Sequence, residues 1–293
     1  MAAEATFSRK LKSEAGGLSA RLPALVIEAR AVALSVRHGV HGRRRAGTGE
    51  NFWQFRPFLS GEPAQRIDWR RSARESRAYV REREWEAAQT LWIWVDRSPG
   101  MDFGSKLAPQ SKLDRALVLA LALADLTVRG GERVGLVGLT RPIAARDVIE
   151  RFAQVLAGPL AARRAEGVPD AEPIAARAKI ALIGDFLSEP ARLDAAFKKL
   201  GQDGAGGVAT MVCDPVEETF PFRGAVDFIA PGTDSPFRAL RAEGMRGDYQ
   251  ARLAGQREAL RTTCKALGWG FALHRTDASP AAALLALSTR LAA

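Results

Sequence analysis

The sequence predicts an α/β protein with a mostly parallel sheet and helices on both faces. Residues 91–95 and 180–184 are apolar runs without polar alternation, which is typical of strands buried on both faces. Between and after them lie segments whose apolar residues recur every three or four positions, as in amphipathic helices. Strands that alternate with helices indicate β-α-β units joined by right-handed crossovers.

Each element has its own local signal. The pair Ser111 and Asp114 resembles a capping box that starts a helix, and Gly130 ends that helix. Pro190 is tolerated in the first turn of another helix. The predicted helices span residues 18–38, 112–129, 147–156, 189–200, 248–267 and 280–291. The predicted strands span residues 91–95, 133–139, 179–184, 208–212, 225–229 and 269–274.

The chain divides by composition into three parts. Residues 1–17 are polar and are expected to be loose, residues 18–90 hold a helix and a basic β-rich segment, and residues 91–293 hold the α/β domain. No stretch resembles a signal peptide or reaches the roughly 20 apolar residues of a membrane span. Cys213 and Cys264 form no spaced motif and fit free thiols in a reducing compartment. We therefore expect a cytoplasmic protein without a membrane span.

The net charge of +10 is unevenly distributed. Residues 1–86 hold 17 Lys and Arg against 10 Asp and Glu, so the N-terminal third carries most of the excess. A basic excess favours an acidic partner, which can be a nucleic acid, an anionic membrane surface or an acidic protein face.

Arginines alternate with aromatic residues between residues 43 and 86. These arginines can pair with nearby carboxylates and stabilise a small β-rich subdomain, or they can form a docking surface for another protein. Aromatic stacking combined with phosphate contacts would also suit single-stranded nucleic acid. The candidate surface residues are Arg45, Arg56, Arg66, Asp68, Trp69, Arg74 and Arg81.

The same region resembles a known family signature. The matching strings are Arg45-x-Gly47-x-Gly49-x-x-Phe52, Arg56-x-Phe58-x-x-Gly61-Glu62, Arg66-Ile67-Asp68-Trp69-x-x-Ser72-Ala73-Arg74 and Val80-Arg81-Glu82. They resemble the domain of unknown function 58 family, bacterial proteins with a von Willebrand factor A-like domain that are often linked to MoxR-type AAA+ ATPases. Glu62 and Gln65 depart from the usual Asp and Arg. Many members carry two transmembrane helices ahead of this region, so this chain resembles the short, soluble version.

The resemblance implies a candidate metal site. A von Willebrand factor A-like fold holds Mg²⁺ with Asp-x-Ser-x-Ser on one loop, Thr on a second and Asp on a third. Asp96, Ser98, Thr140 and Asp185 match this set, whereas Gly100 replaces the second Ser. Carboxylate and hydroxyl oxygens at strand ends are suitable ligands for Mg²⁺ or Mn²⁺. Because one hydroxyl ligand is missing, we favour a vestigial site without metal, in which backbone N–H groups of the loops satisfy the two carboxylates, and metal binding is the alternative.

The resemblance implies a non-enzymatic interaction module that partners a MoxR-type AAA+ ATPase in protein maturation or metal insertion. A catalytic role for Asp96 and Asp185 would need one raised pKa and a substrate pocket. The sequence offers no nucleophile, histidine base or phosphate-binding loop near them. The alternatives are a nucleic-acid-binding module that uses residues 43–86 and, more weakly, a small enzyme with a carboxylate-bound metal.

Overall fold

A computed structural model describes residues 18, 20–37, 52–59, 63–74, 77–83, 89–158, 166–170, 174–229 and 236–292. The chain forms two compact units. One lies within residues 1–40 and 89–293, and the other lies within residues 41–88. Among the described residues, no helix combines the length and the apolar character that crossing a membrane requires.

The N-terminal helix α1 covers residues 20–37 and confirms the predicted amphipathic helix. Its buried residues recur at spacings of three and four, which places them along one face of the helix. They join the same hydrophobic core as the helices of the α/β domain. The members of this face are Leu22, Leu25, Ala29, Val32, Ala33 and Val36.

The smaller unit is a two-stranded antiparallel sheet with one short helix. Strand β1 (Phe52–Pro57) pairs with β2 (Tyr79–Arg83), and α2 (Trp69–Ser72) lies between them in sequence. Asp68 caps α2 by accepting a hydrogen bond from the Arg71 backbone N–H at 2.9 Å. The Arg71 guanidinium lies 5.6 Å from the centre of the Phe55 ring and 5.2 Å from that of Tyr79. Cation–π contacts of this kind stabilise a small sheet that buries little apolar surface.

The α/β domain contains a five-stranded parallel sheet. Its strands are β3 (Thr90–Val95), β4 (Arg133–Leu136), β5 (Lys179–Gly184), β6 (Gly206–Cys213) and β9 (Gly270–Arg275). They lie in the order β4-β3-β5-β6-β9, and every neighbouring pair is parallel. The predicted α/β class is confirmed.

Helices cover both faces of this sheet. On one face α1 packs with α3 (Lys112–Arg129), α4 (Val148–Ala157) and α8 (Pro280–Ala292). The other face packs against α5 (Pro190–Leu200) and α7 (Arg246–Ala266). In β3, Leu91, Ile93 and Val95 point into the first core, whereas Trp92 and Trp94 pack against the second. Two covered faces explain the absence of polar residues from the run 91–95.

Three elements differ from their prediction. Strand β4 ends at Leu136 rather than at residue 139, because the backbone N–H groups of Leu139 and Thr140 turn back to the Leu136 carbonyl oxygen. Helix α6 (Pro215–Thr219) was not predicted, since five residues are too few to show a helical period. The predicted strand over residues 225–229 is β7 (Val226–Ile229), and it pairs with an unpredicted strand, β8 (Pro236–Ala239).

Replacing Leu121 of α3 with Ala should lower the free energy of unfolding by about 2–5 kcal/mol, because Leu121 is fully buried in the first core and its loss leaves a cavity. Urea denaturation measures the change. Leu285→Ala on the partly exposed face of α8 is the matched control and should change stability by about 0.5 kcal/mol or less. Equal losses in the two variants would contradict the assignment of this core.

Candidate functional site at the carboxyl edge of the sheet

The candidate site lies where β3 and β5 end side by side. Strand β3 has the next strand in sequence, β4, on one side and β5 on the other, so the strand order reverses direction at β3. Ligand crevices of open α/β sheets form at such a switch point, beyond the carboxyl ends of the strands. Asp96 directly follows β3 and Asp185 directly follows β5.

Asp96 is fully buried. Its Oδ1 accepts a hydrogen bond from the Ser98 backbone N–H at 2.8 Å, whereas its Oδ2 has no hydrogen-bond partner among the residues that the structure describes. A Cβ atom added to Gly167 would lie 2.3 Å from Oδ2, so the backbone at Gly167 covers this oxygen. Burial and then the nearby charge of Asp185 raise the pKa of Asp96 to about 6, against the lowering effect of Ser98 and Lys112.

Asp185 is held by a buried lysine. Lys112, the first residue of α3, is 1% exposed, and its Nζ donates to Asp185 Oδ2 at 2.9 Å and to Glu217 Oε1 at 2.5 Å. The other oxygen of Asp185, Oδ1, accepts from the Leu187 backbone N–H at 3.1 Å. Burial by itself would lower the pKa of Lys112, but the charges of Asp185 and Glu217 raise it above its usual range. The lysine is therefore charged at neutral pH.

Helix α6 completes this network. Glu217 Oε2 accepts from the Asp214 backbone N–H and Asp214 Oδ1 accepts from the Val216 N–H, both at 2.8 Å. The second Asp214 oxygen, Oδ2, accepts from the Ser105 N–H at 2.8 Å. Asp214 thus joins the loop after β6 to the loop after β3. Burial raises the pKa of Glu217, and the charge of Lys112 opposes that rise.

Three of the predicted ligand residues and the Gly100 position come together. A Cβ atom added to Gly100 would lie 3.2 Å from Asp185 Oδ2 and 4.0 Å from Ser98 Oγ. Asp96 is close enough to Asp185 for the two charges to interact. The Thr140 side chain instead stabilises the turn after β4, where its hydroxyl oxygen accepts a hydrogen bond from the Leu136 N–H at 2.8 Å. No hydrogen bond in the described part of the chain joins Thr140 to Asp96 or Asp185.

The predicted surface of the smaller unit is described only in part. Arg45 lies outside the described residues, and the side chains of Arg56, Arg66 and Arg81 are not described. Asp68 serves as the cap of α2, which is a structural role. Trp69 is 67% exposed, and Arg74 is exposed as well.

A divalent cation does not fit between Asp96 and Asp185. Mg²⁺ needs six oxygen ligands in octahedral geometry and keeps several waters. Here an ammonium already bonds Asp185, and the backbone of Gly167 covers the free oxygen of Asp96. Nowhere in the described part of the chain do three or more His, Cys, Asp or Glu side chains form a group that could hold a metal ion.

Three residues of the network, Lys112, Asp214 and Glu217, were missed from the sequence. A lysine at the first position of an apolar helix is one signal, because positive charge is disfavoured at the positive end of the helix dipole. The run Asp214-Pro215-x-Glu217 is the other, since Pro at the first position and Glu at the third start a capped helix. Neither signal shows that the side chains of Lys112 and Glu217 are in contact.

The family model described as "Protein of unknown function DUF58" matches residues 54–259, which include parts of both compact units and the whole acid–lysine network. The chain belongs to the DUF58 family. The match confirms the resemblance seen in the signature strings, and it carries no assigned activity.

Other proteins resemble this DUF58 protein more weakly. Uncharacterized proteins of Mycobacterium bovis and Mycobacterium tuberculosis are each 30% identical over 118 residues. The match covers 40% of this chain, and the chain spans only 37% of the length of these relatives. Both carry no assigned function in their names.

Two solved structures are also similar. An aerotolerance-related membrane protein from Bacteroides fragilis has 14% identity and a TM-score of 0.39, and the conserved hypothetical protein BatB from Bacteroides thetaiotaomicron has 16% identity and a TM-score of 0.37. Each match covers 70% of this chain and 99% of the other chain. Likenesses at this level carry no conclusion about the DUF58 protein.

Replacing Asp96 with Asn should stabilise the protein more at pH 8 than at pH 4. The pKa of Asp96 rises from 3.8 to about 6 on folding, so the folded state binds more protons in this window and stability falls as the pH rises through it. Asn cannot ionise. The free energy of unfolding of the variant, relative to that of wild type, should therefore rise by about 2–3 kcal/mol between pH 4 and pH 8.

Urea denaturation of both proteins at each pH measures the difference. Burial lowers the pKa of His274 to about 4, so this residue makes stability rise with pH. The effect is the same in both proteins and therefore cancels when their free energies of unfolding are compared. Asp203→Asn, at an exposed position, controls for the loss of a carboxylate. A difference between wild type and Asp96→Asn that does not change with pH would contradict the burial of an ionisable Asp96.

Proposed function

We propose that this protein is a non-enzymatic protein-interaction module whose partner is an AAA+ ATPase of the MoxR type. The supporting observation is an apolar surface at the carboxyl edge of the sheet. In the loop after β3, Leu107 is 61% exposed and Phe103 is also exposed, and in the loop after β5, Leu187 is 48% exposed. These three residues, which lie in loops at the same edge of the sheet, form the tip surface, and exposed apolar groups favour a protein partner.

The tip surface is held in place by the buried network. The Phe103 ring centre lies 5.9 Å from Lys112 Nζ, and the Leu187 backbone N–H donates to Asp185. The Ser105 N–H donates to Asp214, which fixes the loop between Phe103 and Leu107. Pre-organised loops of this kind lose little conformational entropy on binding, which favours affinity.

A hairpin at the same edge of the sheet carries a second set of exposed apolar side chains. The hairpin of β7 and β8 is inserted between β6 and α7, and Ile229, Phe237 and Leu240 are exposed on or beside it. An aromatic cluster anchors its base, where the Phe220 ring lies 4.8 Å from Tyr249 and 5.9 Å from Phe228, measured between ring centres. The hairpin enlarges the apolar area available to a partner.

The reactive groups of the α/β domain favour a binding role over catalysis. Asp96 is fully buried, so a substrate cannot reach it. Burial raises the pKa of Cys213 to about 11 and that of Cys264 to about 12, so both thiols stay protonated at neutral pH and are poor nucleophiles. His274 is buried beside Arg115, and a pKa lowered to about 4 makes it a weak base.

The choice of partner rests on the family resemblance, since DUF58 proteins are often linked to MoxR-type ATPases. A net charge of +10 also suits an acidic partner surface. In this proposal the ATPase supplies the energy, and the present protein brings it to its target in protein maturation or metal insertion.

The double variant Leu107→Asp, Leu187→Asp should weaken binding to the purified MoxR-type ATPase of the same organism at least tenfold, because two charges would be buried in an apolar interface. Isothermal titration calorimetry measures the dissociation constant. The control is Ile27→Asp, Leu285→Asp, at positions 69% and 44% exposed on α1 and α8. Binding that survives the tip variant but not the control would remove the tip surface from the proposal.

Nucleic-acid binding remains a second candidate, favoured by the exposed Trp69 beside the exposed Arg70 and Arg74. If it is correct, the chain binds single-stranded oligonucleotides at low salt with an affinity that falls steeply as salt rises. Trp69→Ala should then cost about 1–3 kcal/mol of binding free energy through lost stacking. Fluorescence anisotropy measures both effects, and no binding at low salt eliminates this candidate.

A further inference from the structure

We propose that the ammonium of Lys112 takes the place of a divalent cation at the carboxyl edge of the sheet, so that the loops are held together without a metal ion. This inference stands apart from the proposed function, because it concerns how the edge of the sheet is stabilised and not what binds to it.

The first support is the position of the ammonium. The Cβ atom of a serine at position 100 would lie 3.2 Å from Asp185 Oδ2. A metal ion held jointly by the loop after β3 and the loop after β5 would therefore bind this oxygen. That same oxygen accepts a hydrogen bond from Lys112 Nζ at 2.9 Å. The lysine therefore bonds the oxygen that a cation would need, and Gly100 leaves out the hydroxyl that would complete the ligand set.

The second support is the balance of buried charge. Asp185 and Glu217 are two nearly buried carboxylates, and their side chains are only 8% and 16% exposed. Buried carboxylates need a compensating charge, since removal from water is costly for an unpaired ion. Lys112 bonds both of them and supplies this charge. A divalent cation added beside it would meet a fixed positive charge and would lose Asp185 as a free ligand.

The third support is the lack of access to Asp96. The backbone at Gly167 lies against Asp96 Oδ2, and a Cβ atom there would be 2.3 Å from that oxygen. No hydrogen bond reaches Oδ2 within the described residues. A hydrated cation would have to displace this segment before it could bind. Asp96 therefore keeps the position of a metal ligand without room for a metal.

The deciding test is a Mn²⁺ titration of the wild-type protein, followed by the electron paramagnetic resonance signal of free Mn²⁺ and by the thermal midpoint Tm. We expect no stoichiometric uptake and no rise in Tm at millimolar Mn²⁺. Stoichiometric uptake that disappears in Asp185→Asn would overturn the proposal. The wild-type protein is folded in this experiment, so the result does not depend on the stability of a variant.

The complementary test uses Lys112→Met, which keeps the apolar stem and removes the charge. Its Tm should fall by roughly 5–10 °C, because Asp185 and Glu217 lose their shared partner. Mn²⁺ should restore part of this loss by binding the freed carboxylates, most of all when Gly100→Ser is added. Lys198→Met removes the exposed lysine that pairs with Asp194 and should change Tm little with or without Mn²⁺.

A Lys112→Met protein that is as stable as wild type without Mn²⁺ would contradict the proposal, because the buried carboxylates would then have no need of the ammonium. If Lys112→Met does not fold by itself, folding in the presence of Mn²⁺ supports the proposal. If it fails to fold under both conditions, the triple variant Lys112→Met, Asp185→Asn, Glu217→Gln decides, since the loss of all three charges should restore folding in the absence of metal.

Discussion

The buried ion pair between Lys112 and Asp185 is the interaction on which the carboxyl edge of the sheet depends. It joins the start of α3 to the loop after β5, and Glu217 extends it to α6 after β6. The three loops that a parallel sheet brings to one edge would otherwise present buried carboxylates to each other. One ammonium between them converts repulsion into attraction and fixes the loop positions.

This network determines what the edge can do. With Asp96 buried and Asp185 occupied, the acidic residues at the strand ends are not available to a substrate. The exposed groups of the same loops, Phe103, Leu107 and Leu187, are apolar. The proposed function as an interaction module rests on this combination of exposed apolar groups and inaccessible carboxylates.

The strands were predictable because their signal is local. An apolar run such as 91–95 indicates a strand that is covered on both faces. The direction of the strand then places the residue that follows it at the carboxyl edge of the sheet. The strand direction places Asp96, Ser98 and Asp185 at this edge, and the family resemblance groups them into one candidate site. Lys112 could not, since its partners Asp185 and Glu217 are 73 and 105 residues away and no periodicity links them. The helix α6, which carries Glu217, is too short to show a helical period, and its capping residues alone do not place Glu217 beside Lys112.

A crystal structure grown in the presence of Mn²⁺ tests the central claim most directly. Data collected at the manganese absorption edge would locate any bound ion, independently of how the loops are interpreted. We expect no anomalous peak between Asp96 and Asp185, and Lys112 Nζ within hydrogen-bond distance of Asp185 and Glu217. An anomalous peak at that position, with the Lys112 side chain turned away into solvent, would contradict the account.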